Sequence, residues 1–271
     1  MQRKTIFITG AASGIGRATA ERFAQEGWWI GAADLNTAGL ESLRSELGTD
    51  NCSTWQLDVT DKSAYDQVIE ELGVLTDGKL DMLYNNAGIG AAGFFEDIPL
   101  EESMKIINVN LIGVINGIYS ALPLLKNANN SLCFSTSSSA ATYGSPNLAV
   151  YAATKFAVKG LTEALAVELS RCGVRAADVL PGLIDTPILT DSLRYVNGSP
   201  VTTSERTIGA NAPDEGPFRL IAPSEVADAA WAAYHENIIH WYVPPEIGDI
   251  DRAKMQSPEA MRDARIAMNS R

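Results

Sequence analysis

Tyr151 and Lys155 stand four residues apart, with a run of serines, STSSS at 135–139, a little way upstream. In a helix, residues i and i+4 share a face, so the phenol and the ammonium would lie one above the other. A nearby ammonium favours phenolate and lowers a tyrosine from its ordinary pKa of about 10. That suits a general acid/base, whose working pKa must approach the operating pH. Taken alone, a tyrosine and a lysine are as readily surface decoration, and the surrounding chain has to decide.

The elements needed to hold such a pair recur along the sequence. Short apolar runs at 4–9, 28–33, 52–57, 80–84, 131–136, 174–180 and 238–243 read as strands. Between and after them, about 15–26, 37–47, 61–75, 100–126, 150–172, 223–236 and 257–268 carry helical spacing. Alternation of this kind predicts an α/β fold: a Rossmann-type, doubly wound parallel sheet of about seven strands with helices on both faces. Arg171 in its last turn and Gly173 just beyond suit the end of the 150–172 helix. Residues 187–222 hold Gly198, Pro200, Gly209, Pro213, Gly216 and Pro217 with little periodicity, and are expected to form a substrate loop or lid. With neither repeat nor linker, residues 1–271 read as one domain.

The first predicted strand runs into TGAASGIG, Thr9–Gly16, which opens a helix. Glycines at 10, 14 and 16 let backbone approach a pyrophosphate and aim helix N-terminal amides at it. Asp34 closes the next strand, 18 residues past Gly16, near the offset at which a carboxylate bonds a ribose 2′-hydroxyl. A carboxylate there repels a 2′-phosphate. Leu35, Asn36 and Thr37 follow it and Ser13 lies in the loop, so only Arg17 could compensate. NAD is therefore the expected cofactor.

Composition narrows the class. The chain has 271 residues, 46% hydrophobic, with a formal net charge of −12. Such a charge argues against nucleic acid, whose phosphates need basic patches. Three scattered cysteines give no disulfide framework, and two histidines give no metal cluster. No run of about 18 apolar residues is seen, so no membrane span is expected. The opening MQRKTIFITG has too short an apolar stretch for a signal peptide. A cytoplasmic protein is the expectation.

Together these pieces resemble the short-chain dehydrogenase/reductase family, in its branch of about 250 residues. TGAASGIG matches the family's TGxxxGxG, and NNAG at 85–88 its next signature. Asp58 and Val59 fall where relatives contact adenine, and Asn110 of NVNLIG matches an active-site asparagine. Ser138, Tyr151 and Lys155 match the Ser…YxxxK set, the serine chosen by its 13-residue spacing to tyrosine; PGLIDTP at 181–187 matches the segment over the nicotinamide. The resemblance covers about residues 4–190. No glycine-rich final strand follows, and 244–271 reads as an atypical C-terminal extension.

The resemblance implies an NAD-dependent dehydrogenase interconverting a secondary alcohol and a ketone. Tyr151 would be the acid/base, Ser138 would bond the substrate oxygen, Lys155 would hold ribose hydroxyls and Asn110 would position a water. Ser137 and Ser139 should face elsewhere, because strand side chains alternate. Cofactor contacts are expected at Gly10, Ser13, Gly14, Ile15, Gly16, Asp34, Leu35, Asp58, Val59, Asn86, Ala87, Gly88, Tyr151, Lys155, Pro181, Gly182, Ile184 and Thr186. Apolar candidates for the substrate pocket are Phe94, Phe95, Tyr143, Leu183, Leu189 and Tyr195. With no basic cluster among them, the substrate is expected to be neutral and bulky. A polyol or sugar dehydrogenase and a non-catalytic NAD-binding regulator stay open as alternatives. A homo-oligomer, dimer or tetramer, is expected by family analogy through the 100–126 and 150–172 helices.

Overall fold

Within the first strand, β1 (Thr5–Thr9), all five residues are buried. Ile6 and Ile8 enter one hydrophobic cluster and Phe7 enters another. Side chains on a strand alternate between faces, so β1 must be covered on both sides. The computed structural model, which describes residues 3–201 and 208–269, shows how. In chain order β1 is followed by α1 (Gly14–Gln25), β2 (Trp29–Asp34), α2 (Thr37–Leu47), β3 (Cys52–Gln56), α3 (Lys62–Leu75), β4 (Met82–Asn85) and β5 (Ala91–Ala92). Next come α4 (Leu100–Ile107), a π-helical turn (Asn108–Ile112), α5 (Gly113–Lys126), β6 (Ser131–Thr136), α6 (Ala149–Glu168), β7 (Val174–Pro181), β8 (Leu183–Ile184), α7 (Ile188–Asp191) and β9 (Leu193–Val196). The chain continues with β10 (Ser199–Val201), β11 (Leu220–Ile221), α8 (Pro223–His235), β12 (His240–Val243), α9 (Ile247–Gln256) and α10 (Pro258–Asn269).

Seven strands form the main sheet in the order β12-β7-β6-β4-β1-β2-β3, all parallel. Strand order reverses between β1 and β4, the switch point at which the carboxyl ends of the strands leave a crevice. Tyr234 and Val226 of α8 and Phe23 of α1 fill one face; Ile69 and Leu72 of α3, Ile118 and Leu125 of α5 and Val158 of α6 fill the other. This is the doubly wound architecture read from the sequence. Cys52, Cys133 and Cys172 are free, and burial pushes the Cys52 thiol up to about 11.

Leu100–Lys126 is, by length and composition alone, apolar enough to cross a membrane, although Asn108, Asn110, Asn116 and Ser120 keep it from being an unbroken apolar run. Half of its most apolar window is buried, with Ile118 and Leu125 on the α3-side core. One expectation needs correction. The 187–222 segment is no structureless lid. It carries α7, the antiparallel hairpin β9–β10 and β11, which pairs with β8. Asn197 and Gly198 turn the hairpin with φ of +50° and +77°, the left-handed pair a two-residue turn demands. Residues 202–207 of that segment lie outside the described residues. In the C-terminal extension α9 was unforeseen, while α10 matches the expected final helix.

Candidate active site

Helix α1 begins at the glycine turn. α2 and α3 are capped by side chains, Asn36 accepting from the Gly39 N–H at 3.1 Å and Asp61 from the Ala64 N–H at 2.9 Å. α1 has neither a side-chain cap nor an acid in its first turn. Its N-terminus opens onto a cleft of about 1290 Å³ walled by Gly10, Ser13, Gly14 and Ile15. A helix end with unsatisfied amides and a positive dipole suits a pyrophosphate. Gly10 and Gly14 take φ of +67° and +53°, and a Cβ on Gly10 would strike Ala87 at 2.9 Å.

Asp34 closes β2 beside this turn. Its carboxylate accepts from the Ala12 N–H at 3.0 Å and the Asn36 N–H at 2.9 Å, which fixes it at the wall with Leu35. Asp58, Val59, Asn86, Ala87, Gly88, Pro181, Gly182, Ile184 and Thr186 line the same cleft. Asn86 ties the wall together, donating to the carbonyls of Thr9 and Gly10 at 3.1 and 3.3 Å and accepting from the Thr136 hydroxyl at 3.1 Å. Gly16 is a correction: it does not line the cleft. A Cβ there would sit 2.1 Å from the Gly10 carbonyl oxygen, so its glycine is needed for close helix–strand packing. Arg17, the loose end of the sequence reading, is bound to Glu21 at 2.9 Å and Glu46 at 2.6 Å. These residues fit a dinucleotide.

At the other end, α6 brings Tyr151 and Lys155 to the wall beside Ser138. The Ser138 hydroxyl shares that wall with the Tyr151 phenol and works to lower its pKa. The Lys155 ammonium, 3% exposed, lies 5.6 Å from the Tyr151 ring centroid and donates to the Thr136 carbonyl at 2.8 Å. Burial pushes the Lys155 ammonium down to about 8. Burial pushes the Tyr151 phenol above its ordinary value, and the Ser138 hydroxyl pulls it back. The lowering expected from the ammonium alone is therefore opposed in the protein by desolvation.

All three serines 137–139 line the cleft, but their hydroxyls differ. Ser137 donates to the Lys155 carbonyl at 2.9 Å, and Ser138 accepts from the Ala140 N–H at 3.1 Å. Asn110 sits in the π-helical turn, fully buried behind the wall. Its carboxamide closes a double hydrogen bond with Ile89, accepting from its N–H and donating to its carbonyl, both at 2.9 Å. What it positions directly is the loop that follows NNAG, at Ile89 between β4 and β5.

On the substrate side, Tyr143, Leu183 and Leu189 line the cleft as expected. Phe94 and Phe95 do not: they leave β5 toward solvent, 65% and 71% exposed. Tyr195 also misses the wall, because it packs behind it with Ala91 and Ile106. Residues the sequence reading passed over take their place, among them Arg194, Asn211 and Phe218. The Asn197-Gly198 turn was the available signal, since it would have paired β9 with β10 and set their alternation.

The chain belongs to the short-chain dehydrogenase family: the model for "short chain dehydrogenase" matches residues 4–195. It is 37% identical over 190 residues to the 3-oxoacyl-[acyl-carrier-protein] reductase FabG of Thermotoga maritima, covering 69% of this chain and 77% of that one. It is 32% identical over 262 residues to a Mycobacterium tuberculosis protein named "Probable oxidoreductase EphD", covering 95% of this chain but 44% of the relative. This chain thus spans less than half the length of EphD. Among solved structures, a short chain dehydrogenase/reductase from Burkholderia phymatum in complex with NAD superposes with a TM-score of 0.81 at 26% identity, covering 96% and 95% of the two chains.

Proposed function

We propose that the protein is an NAD-dependent oxidoreductase that interconverts a secondary alcohol and a ketone, with Tyr151 as general acid/base. The observation that carries this reading is the Tyr151 phenol, the Ser138 hydroxyl and the Lys155 ammonium (5.6 Å from the tyrosine ring centroid) on one wall, in the same cleft as the uncapped turn of α1. When bound, the nicotinamide supplies or accepts the hydride. In the oxidising direction Tyr151 takes the alcohol proton; in the reducing direction it returns one to the carbonyl oxygen. Ser138 donates to that oxygen as charge develops there. Lys155 favours phenolate by its charge and holds the ribose hydroxyls, while Asn110 holds the loop at Ile89, beside which the ring would lie.

NAD is favoured over NADP on two grounds. Asp34 stands where a 2′-phosphate would fall, and Arg17, held by Glu21 and Glu46, is not available to neutralise one. Leu183, Leu189 and Tyr143 suit a bulky apolar substrate body. A wholly neutral substrate no longer follows, because Arg194 lies on the same wall. A homo-oligomer is part of the reading, supported by Tyr119 on α5 and Val167 on α6, 72% and 75% exposed. The test is absorbance at 340 nm with NAD or NADP against a panel of secondary alcohols. Reduction of NAD well ahead of NADP is expected; binding of NAD with no turnover in either direction would return the protein to a regulatory role.

A further inference from the structure

Along β9 the side chains alternate. Ser192, just before the strand, and Arg194 line the cleft, while Tyr195 faces the opposite way into the cluster with Ala91 and Ile106. The backbone at Arg194 is held from both sides, paired with Ala92 of β5 and with Val201 of β10. The hairpin turn is tied down as well, the Asn197 N–H donating to Asp97 at 2.9 Å. Arg194 is therefore presented by sheet.

Among the described residues nothing accepts a hydrogen bond from its guanidinium. The carboxylates on the same wall are not paired with it: Asp191 accepts from the Thr190 hydroxyl at 3.1 Å, and Glu101 makes no ion pair. The other cleft cations are engaged, Lys155 with the Thr136 carbonyl and Lys105 beside Glu102 at 3.7 Å. A chain of net charge −12 thus keeps, among the described residues, one unpaired, planar, five-donor cation in its cleft, on the same wall as Leu183 and Leu189.

We propose that Arg194 is a specificity-determining residue that clamps a carboxylate on the substrate. The substrate class becomes an oxo acid or hydroxy acid with an apolar body, the body lying on Leu183 and Leu189 and the carboxylate on the guanidinium. A guanidinium meets a carboxylate through two parallel hydrogen bonds, and Glu101 and Asp191 on the same wall oppose the second negative charge of a phosphate dianion. The assignment rests on the proposed alcohol–ketone chemistry for the word substrate, but the anion site itself does not need turnover.

The test is therefore equilibrium binding first. Calorimetric titration of the full chain with NADH present would compare 4-phenylbutanoate with 4-phenylbutanol, matched in body and different in charge. The acid should bind at least about tenfold tighter, as a charge-assisted bidentate pair requires. Arg194→Gln should erase that preference, and Arg194→Lys should restore part of it. Equal binding of the two probes, binding of neither, or an undiminished preference in Arg194→Gln overturns the assignment. Turnover of 4-oxo-4-phenylbutanoate and its methyl ester then separates the two readings. Equal turnover of both sinks the carboxylate clamp and leaves the oxidoreductase. An Arg194-dependent preference for the acid without turnover sinks the oxidoreductase and leaves the clamp.

Discussion

At the α1 end of the cleft, Gly10, Ser13, Gly14 and Ile15 come from one strand–turn–helix, and Asp34 from the end of the neighbouring strand. At the opposite end, Tyr143, Leu183, Leu189, Arg194 and Phe218 come from separate segments, Leu183 and Arg194 from the small two- and three-stranded sheets outside the main one. The first region is set by local chain geometry: a positive φ at two glycines, an uncapped helix end, a carboxylate held by two amides. The second exists only once distant segments meet. A cofactor shared by many reactions can be held by the first kind of construction, and specificity can change in the second without disturbing it.

The largest effect should come where the two regions meet. Tyr151→Phe removes the phenolic hydroxyl and keeps the ring against Lys155. Turnover should fall by at least about a thousandfold, the upper part of the range for a lost general acid/base. The dissociation constant for NADH, followed by fluorescence, should change less than threefold. Substantial residual turnover would remove Tyr151 from the chemistry.

Next in size is a change confined to the local region. Asp34→Ala withdraws the carboxylate that Ala12 and Asn36 hold in place. The ratio of kcat/KM for NAD over NADP should fall by about 10- to 100-fold, mostly through KM, as expected for a lost hydrogen bond and a removed repulsion. An unchanged ratio would mean that Asp34 only shapes its turn.

That contrast also explains what could be read in advance. The main sheet, the glycine turn, Asp34, Ser138, Tyr151 and Lys155 were legible because each depends on period, spacing or offset within a short stretch. Gly16 was misassigned because a glycine needed for packing against the Gly10 carbonyl looks the same in sequence as one facing a ligand. Phe94 and Phe95 were taken for pocket wall because apolar type carries no direction, and the chain leaves β5 with both rings outward. Arg194 was passed over because its place depends on two strand pairings, with Ala92 and Val201, that no local pattern states except the Asn197-Gly198 turn. The lowering expected for the Tyr151 phenol missed burial, which depends on tertiary packing.

A third region, the far end of α6, shows that the helix carrying Tyr151 is anchored by charge as well as packing. Asp178, fully buried on β7, accepts from His240 Nδ1 at 2.7 Å, and His240 Nε2 meets Glu163 of α6 at 3.1 Å. One turn earlier, Lys159 pairs with Asp251 of α9, which also accepts from the Tyr242 hydroxyl at 2.8 Å. Burial pushes the Asp178 carboxyl up to about 6, against the pull of His240 and Lys159. Burial draws the His240 imidazolium down, but the bond and charge of Asp178 outweigh it and leave it above its ordinary range. Both folded values are raised, so folding takes up protons here. Their contribution to stability is present at low pH and is lost as pH rises, through about 4–6 for Asp178 and beyond about 6.5 for His240. Asp178→Asn should therefore gain on the wild type by about 1.4 kcal/mol between pH 5 and pH 8 in denaturant unfolding, from the Asp178 carboxyl alone. A difference that stays constant with pH would show that the cluster is not linked to folding in this way.

The smallest expected effect discriminates most finely between wall and surface on the substrate side. Leu183 is partly buried on β8 and lines the cleft; Phe95 is larger, equally apolar and 71% exposed. Leu183→Ala withdraws a few methyl and methylene groups from a substrate body, worth about 1 kcal/mol and so a KM about five- to tenfold higher for a bulky ketone. A small ketone that does not reach Leu183 should lose much less. Phe95→Ala removes more apolar surface but none from the cleft, so KM for both ketones should stay within about twofold, the range expected of an exposed site. The ratio of the two ketones' KM values in each variant is the useful quantity, because a general loosening of the fold raises both alike. A shift of that ratio by Phe95→Ala would mean that the exposed ring folds back over bound substrate, making the substrate end a region that only binding completes.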